Sequence, residues 1–122
     1  MTTINIGAQT IDDIIGKNSI VLIDWWAEWC GPCKMFGPIY EKVSNNHPEI
    51  VFAKVDTEAE QQLSASAQIQ SIPTLMAFKD QVLIFSQAGA LQEPQLEQLI
   101  QAIKDVDMDE VRKQIAAEKK EE

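Results

Sequence analysis

The chain has 122 residues, 45% of them apolar, and its nineteen acidic against ten basic side chains leave a formal net charge of −9. That length holds one domain with one core, and the negative surplus opposes a nucleic-acid backbone or an anionic membrane as partner. The longest apolar run, Ile20 to Ala27, is too short to cross a bilayer and carries Asp24, while Met1 to Ile6 lacks the basic and apolar regions of an export signal.

Thr3 to Gly7 alternates apolar and polar residues and reads as a short strand. Thr10 with Asp13 has the spacing of a capping box, Ile11, Ile14 and Ile15 give one apolar helical face, and Gly16 is expected to close that helix. Ile20 to Trp26 is nearly continuous in apolar residues, as a central strand covered on both faces requires. A helix follows to about Asn46, kinked at Pro38 and ended by His47-Pro48, with His47 expected at the surface. Ile50 to Asp56 is another buried-type strand, and Thr57 with Glu60 reads as a second capping box opening a helix to about Ala67.

Thr74 to Lys79 and Val82 to Gln87 form a predicted antiparallel hairpin turning at Asp80-Gln81. Pro94 suits the first turn of a helix whose Leu96, Leu99, Ile100 and Ile103 share one face. The order β-α-β-α-β-α-β-β-α predicts an α/β fold, a mixed central sheet with helices on both faces. Beyond Asp105, Asp107 and Glu110 can start one more helix with Met108, Val111 and Ile115 on one side; a frayed charged tail ending at Glu122 is the alternative. Residues 1–105 are thus read as the domain and 106–122 as a charged C-terminal extension, helical or frayed.

Between the second strand and its helix stands Trp29-Cys30-Gly31-Pro32-Cys33-Lys34, which holds both cysteines of the chain. Two cysteines placed at random would fall three apart about 1 time in 60. On a first helical turn this spacing brings the sulfurs within disulfide range. The free N–H groups and positive end of the helix favour an anion, so Cys30 is expected to be partly thiolate near neutral pH. Pro32 costs nothing in a first turn, and Gly31 allows another backbone to approach. Cys30 is read as nucleophile, Cys33 as the more shielded resolving thiol.

Two plainer readings compete. A staple across so short a loop removes little unfolded-state entropy. A tetrahedral metal site lacks ligands, since only His47 could join the two cysteines, and none is expected.

Ala27-Glu28-Trp29-Cys30-Gly31-Pro32-Cys33-Lys34 closely resembles the active-site signature of the thioredoxin family. Further matches are Asp24, Pro38, Ala53-Lys54-Val55-Asp56, Ser71-Ile72-Pro73-Thr74-Leu75, Phe78-Lys79 and Gly89-Ala90-Leu91, in order over residues 3 to 105. The resemblance implies the thioredoxin fold, about five strands flanked by about four helices. It also implies a reductase of protein disulfides working through a reversible Cys30–Cys33 disulfide and a mixed-disulfide intermediate. No cofactor would be bound; electrons would come from NADPH through a thioredoxin reductase. Partners would be disulfide-containing proteins and that reductase, with no nucleic acid or membrane, for a cytoplasmic monomer.

The matched positions carry roles with them. Asp24, inside an apolar strand, should have a raised pKa and serve as general base for Cys33, with Lys54 as its partner. A purely structural Asp24–Lys54 pair is the alternative. Pro73 is expected to be cis, and Trp29, Ile72, Pro73, Gly89 and Ala90 to form an apolar docking patch around Cys30. Trp25 and Trp26 are expected in the core and Lys34 to support the thiolate weakly.

The chain departs from the family in Trp25 for phenylalanine, Gln81 for a turn glycine, and Pro94 for a glycine near the docking loop. An exported oxidase or isomerase of the same fold, or a binding module with incidental cysteines, are the competing functions; Gly31-Pro32 favours the reducing side.

Overall fold

The computed structural model describes residues 2–121. In chain order the elements are β1 (Thr3–Asn5), α1 (Ile11–Lys17), β2 (Ile20–Trp26), α2 (Gly31–Ser44), β3 (Val51–Asp56), α3 (Gln61–Ser66), β4 (Thr74–Lys79), β5 (Val82–Ala88), α4 (Glu93–Asp105) and α5 (Met108–Glu121). The strands form one mixed sheet in the order β1-β3-β2-β4-β5. β2 lies parallel to β3 and antiparallel to β4, which places it at the centre.

The two faces of β2 separate by side-chain alternation. Leu22 joins Phe36, Tyr40, Phe52, Leu75, Leu96 and Ile100 in a core under α2 and α4. Val21, Ile23 and Trp25 join Ile11, Val55 and Met76 on the opposite face. Residues Val21 to Ile23 are fully buried, which is why the run needs no polar alternation. Burying a side chain such as Ile100 completely contributes about 1.5–3 kcal/mol. The arrangement is the α/β thioredoxin fold, with five helices where about four were expected, α5 being the addition.

Several local expectations give way to tertiary contacts. Gly16 lies inside α1 rather than ending it. Thr10 makes no cap bond to α1; its hydroxyl instead accepts from the Gly7 N–H at 3.0 Å. Thr57 opens no helix either, because its hydroxyl donates to the Trp26 carbonyl at 3.0 Å and α3 begins only at Gln61.

His47 is not an exposed terminator. Its side chain is only 15% exposed, with Nε2–H donating to Glu97 and Nδ1 accepting from Lys104 at 3.1 Å. The ring lies flat over Phe52, and Lys104 also pairs with Glu49 at 2.7 Å. This cluster ties the end of α2 to α4.

The segment after Asp105 is helical. Asp107 accepts from the N–H groups of Asp109 and Glu110 at 3.0 and 3.2 Å, capping α5, and Met108 is buried. Lys79 donates to the carbonyls of Ile103, Lys104 and Val106 at 2.8–3.0 Å, fixing the α4–α5 corner, and Arg112 reaches Asp80 at 3.5 Å. Met1 and Glu122 lie outside the described residues.

Candidate active site

The reactive pair sits where the central strand feeds a helix. β2 ends at Trp26, and Cys30 is the N-cap of α2, with φ −87° and ψ 113°. Pro32 stands in the first turn, where its missing N–H leaves nothing unsatisfied. Cys30 and Cys33 are joined as a disulfide, their Cα atoms 5.2 Å apart. The Cys33 N–H, one of the helix's free donors, points at Cys30 Sγ from 3.2 Å. A thiolate on Cys30 would accept that bond and lie at the positive end of α2.

Cys30 and Cys33 are equally enclosed, each 4% exposed, so the expected difference in shielding is absent in this oxidised form. Cys30 Sγ lies 3.7 Å from the Ile72 carbonyl oxygen, and both cysteines pack with Ala27 and Ile72. What distinguishes them is position: Cys30 caps the helix, whereas Cys33 lines an open cleft with Trp26, Ala27, Gly37, Pro38 and Lys54.

The Ile72-Pro73 bond is cis, Pro73 is buried, and its carbonyl accepts from the Gly89 N–H at 2.8 Å. Gly89 takes φ +112°, a conformation glycine adopts without a Cβ penalty. These contacts bring Ile72, Pro73 and Gly89 together beside the sulfurs, with Ala90 exposed next in the chain. Trp29 is 68% exposed, its indole N–H donating to Glu58 at 2.6 Å. Lys34 is exposed.

Asp24 is fully buried, and neither carboxylate oxygen has a hydrogen-bond partner among the described residues. Burial pushes its pKa up to about 7, a shift the positive charge of Lys54 only partly offsets. Lys54 is the register partner of Asp24 on β3, yet its ammonium lies over the Trp26 ring, 5.0 Å from the centroid. Trp26 is partly buried, packed against the Ala27, Cys30 and Cys33 cluster and lining the cleft, while Trp25 is core as expected, at 1% exposure. Glu58 and Trp26 were missed in the sequence; nothing in their spacing marks an indole partner or a cation–π platform.

Comparison with known proteins decides the assignment. The family model described as Thioredoxin matches residues 2–117. This chain belongs to the thioredoxin family.

A Streptomyces coelicolor protein provisionally named thioredoxin 2 is 50% identical over 115 residues, 94% of this chain and 86% of its own length. Thioredoxin C-3 of Corynebacterium nephridii is 43% identical over 96 residues, covering 78% of this chain and 66% of its own. Among solved structures, a single-site mutant of thioredoxin from Halobacterium salinarum aligns with a TM-score of 0.78 at 30% identity, covering 86% of this chain and 93% of that one. The oxidised thioredoxin of Plasmodium falciparum aligns at 0.75 and 34% identity, covering 84% and 98%.

As a thioredoxin the chain is a thiol–disulfide oxidoreductase with a redox-active Cys30–Cys33 pair and protein-disulfide reductase activity. Thioredoxins work without a bound cofactor, are recharged by a reductase, and act on disulfide-containing proteins. Among the described residues no helix is long and apolar enough to cross a membrane, and no cluster of His, Cys, Asp or Glu could hold a metal ion.

Proposed function

We propose that Cys30 is the nucleophile of this thioredoxin and Cys33 its resolving thiol, with Asp24 as the proton acceptor for Cys33. The observation that carries this is the Cys33 N–H aimed at Cys30 Sγ from 3.2 Å at the N-cap of α2. The Cys30 thiolate attacks one sulfur of a target disulfide; the S–S bond breaks, a mixed disulfide forms, and the other target sulfur leaves as a thiolate that takes up a proton. Cys33 gives its proton to Asp24, and its thiolate attacks Cys30 Sγ. The mixed disulfide breaks, the second target thiol departs, and the Cys30–Cys33 disulfide holds the two oxidising equivalents.

Asp24 suits the proton step because a carboxyl with a pKa of about 7 takes and returns a proton at neutral pH. Lys54 biases that carboxyl from the neighbouring strand. Gly31 and Pro32 set the turn, while Trp29, Ile72, Pro73, Gly89 and Ala90 surround Cys30 as the docking patch. Electrons would arrive from NADPH through a thioredoxin reductase, for a monomer acting in the cytoplasm. Residues 1–105 form the working domain and 106–122 an extension outside the chemistry.

The test is Cys33→Ser with a disulfide-bearing protein: mixed disulfides should accumulate on Cys30. Adducts that fail to form would remove Cys33 as the resolving group. For the reducing direction, equilibration in a glutathione buffer should give a potential below about −200 mV; a higher value would favour the oxidase reading.

A further inference from the structure

Residues 61–78 and 81–92 contain no Asp, Glu, Lys, Arg or His, in a chain that is 24% charged. The fold brings the 67–76 part of one stretch against the 86–88 part of the other, next to Ile72, whose carbonyl lies 3.7 Å from the Cys30 sulfur. α3 stops at Ser66, and Gln68, at φ 60°, turns the chain toward Ile72-Pro73. Past that helix the loop at 67–71 lies beside the β4–β5 pair. The floor there is two cross-strand pairs on one face, Thr74 with Ala88 and Met76 with Ser86. The 67–71 loop forms the opposite wall, enclosing an open groove of about 200 Å³. Gln68, Gln70, Ser71, Ser86 and Gln87 line it and are exposed.

We propose that this groove holds an uncharged, polar stretch of the partner protein, adjoining the disulfide being reduced. The inference rests on the docking role of Ile72-Pro73 proposed above, since the groove begins where that segment leaves the sulfurs. Its chemistry selects the occupant. Amide and hydroxyl groups on walls and floor can replace the water bonded to an uncharged peptide, group for group. A charged segment would lose its hydration here and meet no counter-ion. The other rim of the site differs, because Glu28 and Glu58 flank Trp29 there. The two rims thus orient a partner, its neutral stretch lying toward β5.

The test uses the intact protein and two disulfides: insulin, with dithiothreitol as electron source, and the small neutral 2,2′-dithiodipyridine, too short to reach the groove, with protein pre-reduced and freed of dithiothreitol so that only its own thiols react. Ser86 is exposed, so Ser86→Glu and Ser86→Lys should fold. Both should raise the KM for insulin about fivefold or more, with kcat and the rate on dithiodipyridine unchanged. Gln114→Glu, on the exposed side of α5, should change neither. Opposite movements of KM in the Glu and Lys variants would show simple charge attraction and overturn the groove, as would unchanged KM in both. An unmodified protein that reduces neither disulfide would instead contradict the redox roles on which the groove depends.

Discussion

Asp24 and Lys54 stand opposite each other across the β2–β3 pair without forming an ion pair. The carboxylate is buried with both oxygens unbonded among the described residues, and the ammonium rests on the Trp26 ring at 5.0 Å. Burying a carboxyl without hydrogen-bond partners costs the fold desolvation free energy. Lys54 tempers the cost by its field.

The pH dependence of stability follows. Asp24 titrates at about 7 in the fold against 3.8 for the ordinary group. From about pH 4 upward the unfolded chain has released this proton while the folded chain keeps it, so stability falls as pH rises toward 7 and levels off above. The loss is about 4 kcal/mol by linkage. Asp24→Asn should abolish that slope, gain stability at pH 8 and slow the release of mixed disulfides. Denaturant midpoints at pH 5 and pH 8 check it; parallel slopes in the two proteins would discard the buried-carboxylate account.

Gln81 occupies a left-handed position in the β4–β5 turn, at φ 71°, after Asp80 at φ 51°. Two consecutive positive φ values match a type I′ turn, which favours glycine second. Gln81→Gly should therefore stabilise the protein by about 0.5–1 kcal/mol, read as a higher unfolding midpoint. A lower midpoint would mean that the Gln81 bond to the Gly16 carbonyl, at 3.4 Å, outweighs the backbone strain.

Trp25 buries an indole N–H that has no partner among the described residues. Trp25→Phe removes that orphan donor together with part of a ring, and the two effects oppose each other. The change should cost within about 1 kcal/mol, far less than an ordinary large-to-small core substitution. A measured loss above about 3 kcal/mol would show that packing alone governs the site.

Lys79 donates to three carbonyls at the end of α4. Lys79→Met should lower stability by about 2 kcal/mol and loosen the root of α5. Hydrogen exchange should quicken across α5 while α2 keeps its protection. Unchanged α5 exchange would make that helix independent of the corner.

Much of this fold was legible because its signals are local. The nearly continuous apolar run of β2, the i, i+3, i+4 face of α4 and the turn at Asp80-Gln81 follow from periodicity and turn chemistry. Both capping boxes misled, because the Thr10 and Thr57 hydroxyls bond to Gly7 and to the carbonyl of Trp26 instead. His47 looked like an exposed terminator since its partners, Glu97 and Lys104, lie fifty or more residues away. At the site, Cys30 and Cys33 announced themselves by spacing, whereas the enclosure of both sulfurs and the Glu58 hold on Trp29 depend on distant segments.

One titration bears most directly on the proposal that the Cys30 sulfur is acidified. Alkylation of the reduced protein with iodoacetamide across pH, with the modified peptide mapped, should place the adduct on Cys30 and a midpoint well below the ordinary thiol value of about 8.5. A midpoint at or above that value, or alkylation falling first on Cys33, would contradict it.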